Sequence, residues 1–284
     1  MLNKENESGW TPLTRVAKRW QWAIVDQLMG EDAWIDPKDR NYHRTPLVEA
    51  AINAHEATVE LLLKDGAQTL SIDKKAADGG TPLFAAIHGG HKDVVKILLE
   101  CGASIDCEDQ DGVTPFLLAV KKAQVPIVEL LLKYGSSIDM GGRAGRTPLS
   151  WAITSRDEFM IMALLRMDAD MELKDRDGYT TLNFAICDGG CESLPIIKSL
   201  LNHGADIESR TIQGGTPSSL AIAKGRVKDS VMLLLGMGAD VHAKDEGGRT
   251  PSSLAVDEKN NDLVDLLMNK DSEIYSPCVA LPVR

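Results

Sequence analysis

A short motif built around Thr-Pro recurs along the chain at nearly constant intervals, and this period constrains the fold more than any other feature of the sequence. The motif threonine falls at Thr11, Thr45, Thr81, Thr114, Thr147, Thr180, Thr216 and Thr250, so consecutive copies are 33 to 36 residues apart. A fixed period of this length indicates a repeat architecture, in which each copy buries its apolar face only against its neighbours. The 284-residue chain is therefore predicted to be a stack of eight units.

Residues 109–139 show the content of one unit most clearly, with the sequence DQDGVTPFLLAVKKAQVPIVELLLKYGSSID. Thr114 supplies a capping hydroxyl, and Pro115 suits the first turn of a helix because its missing N–H would be unpaired there anyway. The apolar run from Ile127 to Leu132 predicts a second helix, which ends where Gly135 can adopt a left-handed conformation. One unit is thus turn, helix, helix and loop.

This pattern resembles the ankyrin repeat, whose period is about 33 residues and whose signature contains T-P-L-H-x-A. The resemblance rests on Asp109, Gly112, Thr114, Pro115, Ala119, Val128, Leu131 and Gly135, and its copies cover nearly the whole chain. It implies an all-α ankyrin-repeat solenoid, with helix-turn-helix repeats, β-hairpin loops and a concave groove. The repeats are expected at 7–36, 40–70, 76–106, 109–139, 142–172, 175–208, 211–242 and 245–274, in a single domain over 1–275 followed by an irregular tail over 276–284.

Composition narrows the partners and the compartment. A net charge of −11 disfavours nucleic acid, because that affinity comes mainly from lysine and arginine contacts to phosphate. No run approaches the ~18 apolar residues that a membrane-spanning helix needs, and the first ten residues lack the apolar core of a secretory signal. Five cysteines at irregular spacing fit a reducing compartment. We therefore expect an intracellular, cytoplasmic protein, with the nucleus left open, and no membrane insertion.

Neither a metal nor a cofactor is expected. Cys187 and Cys191 flank Asp-Gly-Gly, but no second Cys or His pair follows at the spacing of a zinc finger, so free thiols are favoured. The sequence contains no nucleophile elbow, Walker loop or dinucleotide-binding glycine motif either.

Function must lie on the surface that differs between the repeats. In the ankyrin family, the hairpin tips and the exposed positions of the first helix line the concave groove. On the matching positions here, ten residues are basic and eight are acidic, which gives 10 − 8 = +2 on a chain of −11. Lys121, Lys122, Arg143 and Arg146 make the middle of this set positive. A groove of this sign favours an acidic or carboxylate-bearing protein or peptide, unless these side chains are only solvated.

Aromatic and basic residues on this face are the predicted binding anchors, namely Trp10, Tyr42, Arg44, Lys121, Lys122, Arg143, Arg146, Trp151 and Tyr179. Trp10 belongs to an irregular first repeat, which is either simply a cap or also part of the ligand surface. Trp151 and Phe184 occupy equivalent positions in consecutive repeats, where they either pack in the core or reach the groove.

A small-molecule site or an unconventional enzyme is the alternative. Arg15 and Glu49 occupy positions that are normally apolar, and buried charges persist only when paired, so a structural ion pair or a polar pocket is expected there. As an acid–base site, the groove would use Arg15, Glu49, His88, Tyr179 and Asp188. Because no catalytic motif is recognised, binding without catalysis is favoured. His55 and His91, at the turn between the two helices, are interpreted as structural hydrogen-bonding groups.

Three departures from the regular pattern are expected to matter locally. The connection over 68–80 is longer than the minimum, and an insertion over 188–195, with either a spacer or a recognition role, separates the helices of the sixth repeat. Ser218 and Ser252 stand where an inward leucine is usual, which should weaken the last repeat interfaces.

Overall fold

The computed structural model describes residues 2–31, 33–64, 72–142, 145–189, 193–224 and 228–274, without the side chains of residues 188–189 and 269–274. Regular structure in these ranges is entirely helical, which confirms the all-α prediction. The helices are α1 (Pro12–Ala17), α2 (Trp22–Gly30), α3 (Pro46–Ile52), α4 (Glu56–Lys64), α5 (Pro82–Gly89), α6 (Lys92–Glu100), α7 (Pro115–Lys121), α8 (Val125–Lys133), α9 (Pro148–Thr154), α10 (Glu158–Arg166), α11 (Thr181–Gly189), α12 (Leu194–Asn202), α13 (Pro217–Ala223), α14 (Lys228–Gly236), α15 (Pro251–Asp257) and α16 (Asn261–Ile274).

The first helix of each pair begins directly after a motif threonine. The Thr114 side chain accepts a hydrogen bond from the backbone N–H of Leu117 at 3.2 Å, and Pro115 occupies the first helical position. This satisfies one of the N–H groups that a helix start leaves without a partner. In the sixth pair Thr181 replaces the proline, and α11 still begins there because Thr180 remains the preceding cap residue.

The chain forms two compact units, residues 1–143 and 144–284. Within the first unit, α1, α3, α5 and α7 contact one another in succession, and within the second unit α9, α11, α13 and α15 do the same. The second helices bury one apolar face: in α8, for example, Ile127, Val128, Leu130 and Leu131 are buried. Each unit is therefore a stack of helix pairs.

The predicted hairpins are tight turns, with no strand among the described residues. Backbone hydrogen bonds close these turns, such as those from Asp109 N to the carbonyl of Val113 at 3.1 Å and from Gly112 N to the carbonyl of Asp109 at 3.2 Å. Successive turn tips are also hydrogen-bonded to each other. For example, Gln110 N donates to the carbonyl of Asp78 at 3.3 Å. At Gly79 (φ +80°) an added Cβ would lie 2.8 Å from Gln110 N, so only glycine permits this close approach.

The structural interpretation of the two inter-helix histidines is confirmed. His55 Nδ1 lies 2.7 Å from the carbonyl oxygen of Ala17, at the end of α1, and His91 Nε2 lies 2.9 Å from that of Ile52, at the end of α3. Each imidazole thus bonds a carbonyl that would otherwise lack a partner at the end of the preceding first helix.

Several expectations concern segments beyond the described ranges. The longer connection over 68–80 is described only from residue 72 onward, because residues 65–71 lie outside the described ranges. Residues 190–192 of the insertion and the tail from 275 onward also lie outside these ranges. None of the described helices is both long and apolar enough to cross a membrane.

Candidate functional site

Predicted site residues lie in both units, and each group is described by itself. In the first unit, a pocket of about 440 Å³ opens between the first helices of successive pairs. Its apolar floor contains Val48 and Ile52 from α3, Phe84 from α5 and Leu118 from α7. A volume of this size is within the range of ligand-binding pockets.

Arg44 lies at one end of this pocket and is neutralised within its own repeat. Its Nη1 is 3.5 Å from Oε1 of Glu49, whose side chain is only 3% exposed, and its Cζ is 4.7 Å from the centre of the Tyr42 ring. A buried carboxylate needs such a cation, because desolvation without a partner is costly. Arg44 therefore brings little free positive charge to the groove.

The predicted ion pair between Arg15 and Glu49 is wrong. Arg15 is exposed on α1 and forms no ion pair among the residues that the structure describes. Arg44 takes its place because it precedes Glu49 by five residues in the same repeat, at the turn that leads into α3.

The other predicted residues of the first unit are on or near the surface. Lys18 Nζ lies 4.6 Å from the centre of the Trp10 ring, close enough for a cation–π contact. Lys121 and Lys122 are both exposed, and Lys122 Nζ is 3.3 Å from Nε2 of His88. Because an ammonium group only donates hydrogen bonds, this His88 nitrogen is the acceptor.

In the second unit, aromatic residues surround Arg146. Its Cζ lies 4.9 Å from the centre of the Phe184 ring and 5.7 Å from that of the Trp151 ring, and the Tyr179 ring is 5.8 Å from the Phe184 ring at 42°. Phe184 is buried, whereas Trp151 and Tyr179 are half-buried. The two aromatic residues therefore have different positions. Phe184 packs in the core, and Trp151 keeps a partly exposed edge beside Arg146.

Arg146 differs from three arginines that form ion pairs. Arg40 pairs with Glu5, Arg44 with Glu49 and Arg249 with Asp245. Arg146 makes its two ring contacts, but within the described ranges its guanidinium forms no hydrogen bond and no ion pair. A guanidinium held flat against rings keeps its N–H groups available at its edge, where they match the two oxygens of a carboxylate or a phosphate.

The difference between Arg44 and Arg146 has a simple basis in sequence. Both directly precede a motif threonine, and the residue four positions after that threonine is Glu49 in one repeat and Trp151 in the other. A carboxylate at this position neutralises the arginine, and an indole only supports it. The residue types at both positions can be read from the sequence. That the arginine before the motif threonine contacts the residue four positions after that threonine is known only from the structure.

Tyr179 completes the aromatic group as a neutral phenol. Burial above all, and then the neighbouring Cys187 and the carboxylates of Asp177 and Asp175, raise its pKa, so it remains protonated at neutral pH. It can donate a hydrogen bond but is not poised to act as a base.

The alternative acid–base set stays a prediction. Glu49 and His88 lie in the first unit and form no hydrogen bond or ion pair with each other, Tyr179 lies in the second unit, and the side chain of Asp188 is outside the described residues. Arg143 is also outside the described ranges, so the predicted basic group of Lys121, Lys122, Arg143 and Arg146 stays a prediction.

Stacked helix pairs with bonded turns define a repeat protein, and comparison with known proteins identifies its kind. A family model described as "Ankyrin repeats (3 copies)" matches residues 1–73, 69–141, 138–211 and 191–277. The chain therefore belongs to the ankyrin-repeat family, as the sequence motif predicted.

Solved ankyrin-repeat domains match most of the chain. The domain of Bcl-3, described as a unique member of the IkappaB protein family, is 26% identical with a TM-score of 0.73, covering 81% of this chain and 100% of that domain. The domain of human ASB11 is also 26% identical, with a TM-score of 0.65, and covers 81% of this chain and 99% of its own. Ankyrin-repeat domains typically mediate protein–protein interaction.

Curated relatives match only over a part of much longer proteins. Alpha-latrotoxin-Lg1a of Latrodectus geometricus is 28% identical over 101 residues, 36% of this chain and 7% of the toxin. The human transient receptor potential cation channel subfamily A member 1 is 31% identical over 103 residues, 36% of this chain and 9% of the channel. The chain thus spans less than a tenth of the length of these relatives.

Proposed function

We propose that this chain binds a carboxylate-bearing segment of another protein without changing it chemically, and that Arg146 is the principal anchor. The observation that carries the proposal is the placement of Arg146 over Phe184 and Trp151 at 4.9 and 5.7 Å, without an acidic partner in the described part of the chain. A partner carboxylate would supply that missing partner.

The physical reason for an anchor here is preorganisation. An arginine in open solvent loses side-chain entropy when it binds, whereas one already packed against rings loses less. A partly buried site also screens charge less than open water does, so a bidentate contact to a carboxylate is stronger there. Arginine and aromatic residues together are the usual composition of an energetic hot spot.

Other residues would support this anchor. Trp151 and Tyr179 are half-buried and present a ring edge and a phenol beside it. Lys121, Lys122 and Arg143 are predicted from the sequence as further binding residues for the same acidic partner. A cytoplasmic location is proposed together with this function, because five cysteines at irregular spacing fit a reducing compartment.

The test begins with selection of short peptides from a randomised display library on the full chain. Selected sequences should be enriched in Asp and Glu, and a synthetic peptide from this group should bind the wild-type chain measurably. Replacement Arg146→Glu should weaken that peptide at least about tenfold, because it reverses the charge at the anchor. Arg146→Lys should weaken it less, since it keeps the charge but not the planar stacking.

Arg166→Glu is the matched control, because Arg166 is exposed on α10 and makes no ion pair within the described ranges. It changes the net charge equally and should alter the affinity less than about twofold. Selection of peptides without acidic residues, or equal affinity of wild type and Arg146→Glu, would contradict the proposal.

A further inference from the structure

The pocket of the first unit differs in charge from the Arg146 site. It lies between α3, α5 and α7, where Ile52, Phe84 and Leu118 contribute to an apolar floor below the turn tips. Asp78, Asp109 and Asp111 line it from two successive tips, which the bond from Gln110 N to the Asp78 carbonyl at 3.3 Å holds together.

The negative charges of this pocket are not neutralised within it. Arg44 also lines the pocket, but Glu49 at 3.5 Å cancels its charge. His88 also lines the pocket, and its Nε2 lies 3.3 Å from Nζ of Lys122, which is the nearby cation that this contact adds. Three carboxylates thus face one exposed ammonium group.

Two of the carboxylates keep oxygens available for a ligand. Asp109 Oδ1 already accepts hydrogen bonds from the backbone of Asp111 and Val113, both at 2.9 Å, and therefore shapes its own turn. Asp78 uses only Oδ1, towards Gly80 N at 2.9 Å, and the Asp111 side chain makes no hydrogen bond among the described residues. Asp78 and Asp111 are both exposed, at the mouth above the floor.

We propose that this pocket receives a lysine or arginine side chain of a partner protein. Its aliphatic stem would pack on Ile52, Phe84 and Leu118, and its terminal cation would lie against Asp78 and Asp111. A long basic side chain is the group that offers an apolar stem and a positive head together. The charge of the site excludes an acidic side chain here and complements a basic one. This inference does not depend on Arg146, because it concerns other residues of the other unit.

The test uses methyl NMR on the full chain, with labelled Ile, Leu and Val side chains as reporters. The probe is Nα-acetyl-lysine methylamide, and its norleucine and glutamate counterparts serve as ligand controls. The lysine compound should shift the methyl signals of Ile52 and Leu118. The norleucine compound, which keeps the stem but lacks the ammonium group, should bind at least about fivefold more weakly.

Asp78→Asn with Asp111→Asn is the test variant, because an asparagine oxygen at position 78 can still accept from Gly80 N and preserve the turn. It should remove the preference for lysine over norleucine. Asp93→Asn with Asp106→Asn changes the net charge equally at exposed positions outside the pocket and should preserve that preference.

Three results would overturn the inference: no shift at Ile52 and Leu118 with the lysine compound, equal binding of norleucine, or equal loss in both double variants. Tighter binding of the glutamate compound would do the same and would point to an anion site. Because Arg146→Glu should leave the lysine response unchanged, failure here is distinguishable from failure of the proposed function.

Discussion

Arg44 and Arg146 show how one side chain five residues away decides what an arginine contributes. Both precede a motif threonine and both contact aromatic rings, but Glu49 neutralises Arg44 at 3.5 Å and Trp151 leaves Arg146 with its charge unpaired in the described structure. Charge counted from sequence treats the two residues as equal. Their different partners make only Arg146 a candidate anchor.

This contrast predicts that Trp151→Glu weakens binding of the selected acidic peptide although Arg146 itself is unchanged. The new carboxylate would occupy the position that Glu49 has beside Arg44 and would compete with the ligand. We expect at least about a tenfold loss of affinity, measured by titration calorimetry.

Trp151→Gln is the control for this change, because it removes the same indole without adding a charge. Its loss of affinity should be clearly smaller. An equal loss in both variants would mean that the indole, and not the unpaired charge of Arg146, determines binding.

Individual partners were the least predictable part of the site. Arg15 and Glu49 share a register position in consecutive repeats, and register alone suggested an ion pair between them. A turn residue of the same repeat, Arg44, reaches Glu49 instead, while Arg15 is exposed. Periodicity specifies which face a side chain occupies, but the choice among nearby partners depends on side-chain length and turn geometry.

At the scale of the element, α13 combines two buried serines in opposite situations. Ser218 is 2% exposed and its hydroxyl has no hydrogen-bond partner in the described part of the chain, whereas Ser219 is 5% exposed and its hydroxyl donates to the carbonyl of Thr216 at 2.8 Å. A buried hydroxyl without a partner is destabilising, and one with a partner is not.

Ser218→Ala should therefore raise the free energy of unfolding by about 1 kcal/mol, and Ser219→Ala should lower it by about 1 kcal/mol. Urea unfolding followed by circular dichroism measures both variants under the same conditions. Changes of the same sign would contradict this account of α13, because the two substitutions are chemically identical.

The elements themselves were largely predictable, since their signals are local. Thr114 and Pro115 begin α7, and Gly135 follows the end of α8, as the spacing predicted. The sixth pair shows what local signals leave out. Its helix begins without the usual proline. The Thr181 hydroxyl and both amide atoms of Asn183 are buried there and have no hydrogen-bond partner among the described residues. Sequence alone did not reveal that these polar groups lie in a core.

At the scale of the whole molecule, the net charge of −11 opposes the acidic ligand that Arg146 is proposed to bind. Salt separates the two effects, because the screening length shortens from about 30 Å at 0.01 M to about 8 Å at 0.15 M ionic strength. The distant negative charges lose their influence over this range, while the contact at Arg146 keeps most of its own.

The association rate constant of the acidic peptide should therefore rise about twofold or more between these two ionic strengths. Stopped-flow fluorescence measures it directly. The dissociation rate constant should also rise, since the contact itself is weakened by salt. A falling association rate would show that local positive charge controls the approach of the ligand.

The family and the fold class follow from the period of the whole chain, whereas the ligand does not. Residues such as Asp78, Asp111 and Arg146 lie at positions whose residue type differs from repeat to repeat, so no repeated pattern constrains them. The function of these residues depends on whether their neighbours are buried and whether their charges are paired, and only the three-dimensional structure shows this.

The central claim is that charge complementarity at Arg146 selects the partner. Titration calorimetry with the selected acidic peptide and its charge-inverted counterpart, in which every Asp and Glu is Lys, tests it on wild type and on Arg146→Glu. The account predicts that wild type prefers the acidic peptide and that Arg146→Glu reduces this preference at least about tenfold. An unchanged preference for the acidic peptide in Arg146→Glu would contradict it.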